Sequence, residues 1–467
     1  MLFLPAVVVI TWALPPRLRP AFLLAASYFF YASWNPPVLL LIVFLTLVNY
    51  ALGRVQGNCT PRRRSLVWAG VAVNLIALAI FKYLGFMDDS VNALAQLLGL
   101  NAALPAVRII LPLGLSFFTF EFIHYQIDLF RGTDAIKDPI RFALFPAFFP
   151  TQIAGPIKRY EDFDEQLRKR PRFDLQIFLE GIELIALGLF KKIVVADSLA
   201  RIPLLVFAHP GAATSFDAVL GSLAGFLQLY YDFSGYTDIG RGSAQLLGYR
   251  IPINFKGPFL VTSVSDFWQR WHMSLSFWLR DYLFMPLAGS GLFKRFDRRV
   301  RAVLALVVTM TLAGLWHGAG GHFILFGFFL GVALLVDRFL DYHVFRRLPK
   351  QLRPAAGWLE VQVVIVAVFV LFAAPVKLGL LIYGRMLFGG PHLNLLGRLD
   401  VVEVLGVWVV GIAMQWVLSR WDPREWLARL DASIVLRPAY VTSLAVLALY
   451  FAIANAAANS RFIYFQF

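Results

Sequence analysis

Two histidines set among aromatic and apolar residues are the first candidates for chemistry in this chain. His317 follows Leu315 and Trp316 and precedes Gly318, while His272 follows a run of tryptophan, glutamine and arginine. Imidazole changes its charge near neutral pH and can therefore carry protons. Because an ionisable group within a membrane must have its desolvation compensated, His317 is a functional candidate. For His272, a hydrogen-bonded structural role is an alternative that its sequence surroundings leave open.

A second group of polar residues lies in residues 228–242 after an apolar helix. It contains Asp232, Ser234, Tyr236 and Asp238. The two aspartates are six positions apart, so a helix directs them to different faces, which argues against a paired-carboxylate acid/base site. We interpret this stretch as the wall of a polar cavity. An interfacial girdle of aromatic residues is the alternative.

Two further stretches combine polar groups with helix-breaking residues. Glu121, His124 and Asp128 are three and four positions apart and share one helical face, which predicts either an interhelical polar face or a funnel wall. Residues 149–157 contain two prolines and a glycine and lead into Lys158. Backbone at such a break must be buried in protein or line a cavity, so we expect a re-entrant loop there.

The stretch 254–290 interleaves aromatic residues with arginine and aspartate. Its helical pattern is amphipathic rather than spanning, so we expect it to lie at the membrane interface or to dip into the fold. Asp266 and Arg270 are four positions apart, which supports an ion pair.

One long apolar run must position His317. Residues 302–336 contain only two ionisable residues, His317 and His322. As a single helix this run would be roughly 50 Å long, well beyond the ~30 Å hydrocarbon core of a bilayer. The run must therefore break, and residues 318–321, which include three glycines, are the natural place. This break puts His317 at the end of a helix.

Composition places the whole chain in a membrane. Of 467 residues, 59% are hydrophobic and only 15% are charged, which is outside the range of soluble proteins. We predict an all-α polytopic membrane protein with about 10 to 13 spanning or re-entrant helices in a single integral domain, residues 1–467. The candidate segments are 2–14, 20–34, 36–53, 65–86, 109–127, 139–154, 175–196, 215–231, 301–317, 322–340, 358–378, 401–419 and 439–457.

The net charge of +15 is explained mainly by topology. Basic residues cluster in short loops between apolar segments, which is the signal for a cytoplasmic location and favours contact with anionic lipid rather than nucleic acid. Binding of an anionic cytosolic substrate, such as the phosphates of a coenzyme, is a second use of this charge. Cys59 is the only cysteine, and the spacing of Cys and His predicts no zinc site.

Five motifs spread in order along the chain resemble those of the membrane-bound O-acyltransferase family, in particular its bacterial polysaccharide O-acetylation branch. The matching residues are 152–157, 232–238, Asn254 and Phe255 with 267–272, 280–282, and 315–318. The resemblance implies a helical bundle around a central tunnel, with His317 as the catalytic histidine and His272 as the second histidine. The tunnel residues that it implies are Asp232, Ser234, Tyr236, Asp238, Trp268, Arg270, Trp271, Arg280 and Trp316.

The same resemblance implies a reaction. Acetyl-CoA would enter from the cytosol as the acyl donor, without a permanently bound cofactor or metal, and a hydroxyl acceptor would approach from the other side of the bacterial inner membrane. His317 would act as general base, since a neutral imidazole suits this task near pH 7. The product would be an O-acetylated, alginate-like exopolysaccharide. A different glycan or a lipid as acceptor, or a proton-coupled transporter or flippase, are the alternatives.

The last residues of the chain, 461–467, form an aromatic tail, for which a membrane-interface anchor is the simplest interpretation. The tail also resembles the C-terminal motif of a small peptide that accompanies the acyltransferase of teichoic-acid D-alanylation. The tyrosine of that peptide is taken to accept the acyl group. By this resemblance Tyr464 is a candidate acyl acceptor. The chain contains no soluble catalytic domain with a Gly-Asp-Ser-type nucleophile motif, so we expect an extracytoplasmic acetyltransferase as partner.

Overall fold

The computed structural model of the protein describes residues 2–59, 61–100, 109, 111–398, 406, 409, 413 and 433–454. Regular structure in these residues is helical, which confirms the predicted all-α class. The α-helices are α1 (Phe3–Ala13), α2 (Arg19–Trp34), α3 (Pro36–Asn58), α4 (Arg64–Leu78), α5 (Leu84–Leu97), α6 (Leu115–Arg131), α7 (Pro139–Ala147), α8 (Tyr160–Lys169), α9 (Leu175–Leu189), α10 (Asp197–Leu199), α11 (Arg201–Ala208), α12 (Ser215–Leu246), α13 (Val264–Arg270), α14 (Met273–Leu279), α15 (Met285–Gly289), α16 (Arg298–His317), α17 (Gly321–His343), α18 (Arg353–Ala373), α19 (Val376–Phe388) and α20 (Ser433–Ala454).

Shorter helical turns join these elements. Three are π-helical, at Ala79–Tyr83, Phe190–Ala196 and Arg280–Phe284. Five are 3₁₀ turns, at Pro210–Ala212, Pro258–Leu260, Gly291–Phe293, Phe345–Arg347 and Leu396–Arg398.

Five of the described helical segments are long and apolar enough to cross a bilayer. They are Pro36–Asn58, Arg64–Leu97, Arg298–His317, Gly321–Arg347 and Arg353–Ala373. Two shorter apolar helical segments, Phe3–Ala13 and Pro438–Ile453, add to them. The protein is therefore a multi-pass membrane protein, as predicted.

Several predicted segments are shorter or longer than the sequence pattern suggested. The helix predicted over 109–127 begins only at Leu115, because Gly114 precedes it with a φ of 76°, a left-handed conformation. The segment predicted over 139–154 is helical only to Ala147. In contrast, α12 continues past the predicted end at 231 to Leu246. The predicted segment 401–419 lies outside the described residues except at three positions.

The described chain forms two compact units. The first comprises Met1–Ile182 and Gly240–Pro252, and the second comprises Glu183–Ile239 and Ile253–Phe467. The prediction of one integral domain over residues 1–467 stays a prediction.

In the first unit, helix α6 packs against α3 and α4. The non-helical segment 148–159 follows α7 and is largely buried, as expected for backbone that breaks at membrane depth. A Cβ atom on Gly114 would lie 2.3 Å from the carbonyl oxygen of Gln152, so only glycine permits this close approach. The broken segment is thus packed directly against the start of α6.

In the second unit, α16 and α17 form a helical hairpin. Helix α16 ends at His317 and α17 begins at Gly321, which confirms the predicted break. Gly318 and Gly320 have extended backbones, with φ values of −164° and −171°, that any residue can adopt. Glycine is needed at position 318 because there is no space for a side chain. A Cβ atom on Gly318 would lie 2.0 Å from the ring of Phe323.

The two helices of the hairpin also approach each other closely along their length. A Cβ atom on Gly314 would lie 2.2 Å from the carbonyl oxygen of Phe323, and one on Gly327 would lie 2.2 Å from that of Met310. These contacts fix α17 against the last turns of α16, and so they fix the position of His317.

Candidate active site

His317 lies at the C-terminal end of α16 within a cluster of aromatic rings. Its ring centroid is 4.9 Å from that of Trp316, 5.6 Å from that of Phe326 and 5.5 Å from that of Phe372. Phe326 and Phe372 also contact each other, at 5.3 Å. Helices α16, α17 and α18 therefore each contribute a ring to the surroundings of the imidazole.

A narrow cavity of about 40 Å³ adjoins His317. Two of the predicted tunnel residues, Trp268 and Trp271, line it together with the histidine. The rest of its lining is apolar and comprises Phe226, Leu229, Phe267, Phe326, Leu330, Val364, Ile365, Val368, Phe369 and Phe372. Because His317 is the only titratable residue of this lining among the described residues, the cavity brings one proton acceptor to an apolar space.

His272 connects α13 to α14 in an unusual conformation. Its φ and ψ are 43° and 54°, in the left-handed region that non-glycine residues rarely adopt, and its side chain is buried. The backbone N–H of Met273 donates to the carbonyl oxygen of Asn254 at 2.9 Å, and that of Ser274 donates to the Asn254 side chain at 3.2 Å. Strained residues of this kind cost about 1–3 kcal/mol and cluster at functional sites.

Trp316 contacts both histidines. Its ring centroid is 6.4 Å from that of His272 and 4.9 Å from that of His317. The His272 ring also contacts Phe233 of α12, at 4.9 Å. The structure therefore brings His272, Trp316 and His317 into one continuous aromatic cluster, in which Trp316 is buried.

The aspartates predicted to line the tunnel take part in buried ion pairs. The Lys191 ammonium lies 2.6 Å from Oδ2 of Asp238. The Lys192 ammonium lies 2.8 Å from Oδ1 of Asp232 and 2.8 Å from Oδ1 of Asp197. The π-helical turn Phe190–Ala196 thus directs two consecutive lysines to two aspartates that are six positions apart.

Sequence reasoning missed both of these lysines. The signal that could have found them is the presence of two adjacent ammonium groups inside the apolar run 175–196. A charge in such a run needs an opposite charge nearby, and Asp232 and Asp238 are suitable partners.

The remaining predicted tunnel residues lie in different surroundings. Ser234 is buried and Tyr236 is half-buried, both on α12. Arg270 pairs with Asp266 at 2.8 Å, as predicted, and both side chains are about 40% exposed. Arg280 is exposed, pairs with Asp281 at 2.8 Å and lies over the ring of Phe277. Tyr464 and the tail 461–467 lie outside the described residues.

A separate polar cluster lies in the first unit. The Lys158 ammonium donates to Oε1 of Glu121 and to the hydroxyl of Thr151, both at 2.8 Å, and all three side chains are buried. His124 is buried and stacks on Tyr160 at 6.2 Å. Asp128 pairs with Arg131 near the end of α6. The polar face predicted on α6 therefore exists, and its Glu121 pairs with a lysine that lies beyond the broken segment.

No group of three or more histidine, cysteine, aspartate or glutamate residues that could hold a metal ion occurs among the described residues.

Comparison with known proteins assigns the chain to a family. The model of the membrane-bound O-acyltransferase family matches residues 60–383. A protein from Pseudomonas putida named "Probable alginate O-acetylase AlgI" is 36% identical, over 100% of this chain and 98% of its own length. Its counterpart from Azotobacter vinelandii is 39% identical, over 80% of this chain and 73% of its own length.

Relatives with other named activities also match. A "Peptidoglycan O-acetyltransferase" from Helicobacter pylori is 30% identical, over 76% of this chain and 71% of its own length. The match to the Pseudomonas putida protein extends over the whole chain, and the family model alone includes both His272 and His317.

Proposed function

Because the chain belongs to the membrane-bound O-acyltransferase family and is an O-acyltransferase, we propose that it transfers acetyl groups from acetyl-CoA to an extracytoplasmic acceptor. The acetyl group would serve the O-acetylation of an alginate-like exopolysaccharide, the activity named in the relatives from Pseudomonas putida and Azotobacter vinelandii. The bacterial inner membrane is the corresponding location. Membership of an enzyme family argues against the alternative of a proton-coupled transporter.

The observation that carries this proposal is the size and lining of the cavity beside His317. The cavity, of about 40 Å³, is larger than the roughly 10–15 Å³ that a single water needs, so it has room for a small group such as acetyl. The apolar lining suits its methyl group, and the imidazole lies at the wall where the carbonyl carbon would react.

In the proposed reaction His317 acts as general base. It takes the proton of the acceptor hydroxyl while the hydroxyl oxygen attacks the thioester carbonyl carbon. The carbon–sulfur bond then breaks, the coenzyme leaves as a thiolate that becomes protonated, and acetyl remains on the acceptor as an ester. His272, the second histidine, would assist by proton transfer or by orienting the substrate, and its ring and that of His317 both contact Trp316.

The flanks of the hairpin support an approach of the acceptor from outside the cell. Arg298, Arg299 and Arg301 lie at the start of α16, and Arg346 and Arg347 follow α17. Both clusters favour the cytoplasmic side, so the turn that follows His317 lies toward the opposite side. The predicted tunnel residues Asp232, Ser234 and Asp238 would then line the passage by which donor and acceptor reach the histidine, and Arg270 and Arg280 are candidates for its charged entrance.

Tyr464 is a candidate to carry acetyl as an ester on its way to a partner acetyltransferase outside the membrane. Peptidoglycan is a second possible final acceptor, since the relative from Helicobacter pylori is named for it.

Transfer from radiolabelled acetyl-CoA by the purified, membrane-reconstituted protein tests the donor and the base together. We expect His317→Ala to lower the rate by about 10²- to 10⁴-fold, the usual contribution of a general base. His343→Ala is the matched control, because His343 is exposed at the far end of α17. Equal rates for wild type and His317→Ala would refute the role of His317, and a failure of the wild type to transfer label from acetyl-CoA would refute the donor.

Mass spectrometry of the protein trapped during turnover tests the relay through Tyr464. Acetyl on this residue is the expected result, and Tyr464→Phe is expected to stop delivery to the partner. Acetyl on another residue, together with full activity of Tyr464→Phe, would refute the relay while leaving the donor reaction intact.

A further inference from the structure

Asp337 is a buried carboxylate in the second half of α17, far along the helix from His317. It accepts hydrogen bonds from the backbone N–H of Val264 at 3.0 Å and from that of Ser265 at 3.1 Å. The Ser265 hydroxyl donates to it as well, at 2.8 Å. These donors form the start of α13, the short helix that leads to His272. Building on the proposed function, we infer that Asp337 is a positioning residue for His272.

The contacts of Asp337 are those that a helix needs at its N-terminus. The first backbone N–H groups of a helix have no partner within the helix, and their dipoles favour a negative charge. Asp337 accepts from Val264 and Ser265, while the hydroxyl of Ser263 accepts from the N–H of Asp266 at 3.0 Å. The cap of α13 is therefore supplied partly from its own sequence and partly from another helix.

Helix α13 has only seven residues and cannot be stable by itself. Its C-terminal end is followed at once by Trp271, which lines the cavity, and by His272 in its left-handed conformation. Asn254 fixes the chain just after His272 through its bonds to Met273 and Ser274. Asp337 fixes the other end of the same segment, so these two anchors determine where the His272 ring lies.

The helix that carries Asp337 also holds the other histidine in place. Helix α17 packs closely on α16 at Gly314 and Gly327, next to His317. One rigid hairpin therefore presents His317 directly and holds the segment of His272 through Asp337. A shift of α13 by even about 1 Å would change the spacing of the two imidazoles, and misplacements of this size cost roughly a hundredfold in rate.

The chain offers a matched control one helical turn away. Asp341 also lies on α17, but it is exposed and pairs with the exposed Arg346 at 3.0 Å. Asp337→Asn removes one hydrogen-bond acceptor oxygen and the negative charge at the N-terminus of α13. Asp341→Asn makes the same chemical change at the surface.

Rates and hydrogen exchange of the full-length protein test the inference. For Asp337→Asn we expect kcat to fall by about ten- to a hundredfold with KM for acetyl-CoA nearly unchanged. In the His272→Ala background the same substitution should cause no further loss of kcat, because its effect passes through His272. Amide exchange in residues 264–274 should become faster in Asp337→Asn, and Asp341→Asn should leave rate and exchange at their wild-type values.

Two results would overturn the inference. One is an equal loss of kcat from Asp337→Asn in the wild-type and His272→Ala backgrounds, which would mean a general effect on folding. The other is unchanged amide exchange in residues 264–274. The exchange measurement does not depend on turnover, so it decides the anchoring of α13 even if acetyl-CoA proves not to be the donor. Ser265→Ala removes only one of the three bonds and provides a milder variant, for which we expect a smaller change of the same kind.

Discussion

Two regions hold an ionisable group in apolar surroundings in opposite ways. One is the polar cluster of the first unit, and the other is the cavity beside His317 in the second unit. Lys158 has an acidic partner, Glu121, and a hydroxyl partner, Thr151, each at 2.8 Å. The imidazole of His317 contacts the rings of Trp316, Phe326 and Phe372, at 4.9 to 5.6 Å, and adjoins a cavity.

On the proposed mechanism, this difference separates a structural use of a buried charge from a chemical use of an imidazole. A buried ammonium needs an opposite charge, and once paired it has little freedom to react with another molecule. An imidazole can be neutral and buried among rings while it still exchanges a proton. Ionisable residues within a membrane therefore need not all belong to the reaction, and the surroundings of each residue indicate its role.

The largest effect is expected from breaking the cluster of the first unit. Lys158→Met leaves the Glu121 carboxylate buried without its partner, which costs about 3–5 kcal/mol of folding free energy. Thermal unfolding in detergent should therefore occur at a clearly lower temperature. Lys169→Met is the control, because its ion pair with Glu165 is exposed.

A second substitution distinguishes structure from chemistry at this cluster. In Lys158→Met with Glu121→Gln the buried charge is gone, so we expect most of the stability and the transfer activity to return. Restored stability without activity would contradict the comparison, since it would give Glu121 or Lys158 a part in the reaction.

The next largest effect is expected at the hairpin that carries His317. Gly314→Ala puts a methyl group where the carbonyl oxygen of Phe323 lies 2.2 Å away, so α16 and α17 must separate. Overpacking of this kind costs about 1–3 kcal/mol. Because His317 is one turn away, we expect the transfer rate to fall even in protein that remains folded.

The control for this substitution is Gly384→Ala in α19. A Cβ atom there would have no neighbour within 4 Å, so we expect unchanged or slightly higher stability and a wild-type rate. A wild-type rate in Gly314→Ala as well would mean that the close hairpin does not position His317.

The hairpin and the cavity also show how far the sequence could predict this protein. The break after His317 follows from the length of the apolar run. The motifs predicted Trp268, Trp271 and His317 as site residues, and these three residues line one cavity. The ion pairs that Lys191 and Lys192 form with aspartates were not predicted, because they depend on a π-helical turn that hydrophobic periodicity does not reveal. The hydrogen bonds of Asp337 were not predicted either, because its partners are more than 70 positions away in sequence.

A smaller effect, on specificity rather than stability, is expected from Phe326→Ala. This substitution enlarges the cavity on the side of α17, where the ring of Phe326 lies 5.6 Å from His317. A longer acyl group should then fit, so the rate with propionyl-CoA relative to acetyl-CoA should rise by about tenfold. Phe328→Ala is the control, because Phe328 is 40% exposed on the same helix. An unchanged ratio in Phe326→Ala would mean that this cavity does not receive the acyl group.

The smallest effect is expected from Arg270→Ala, and it tests where the functional region ends. Its ion pair with Asp266 spans four positions of α13, and both side chains are about 40% exposed, so the pair contributes only about 0.3–0.5 kcal/mol. We expect the unfolding temperature and kcat to stay close to those of the wild type. Steady-state kinetics with acetyl-CoA decides whether Arg270 does more than this. A clear rise in KM with unchanged kcat would mean that its guanidinium binds the anionic donor, and the tunnel would then extend beyond the aromatic cavity to a charged entrance on α13.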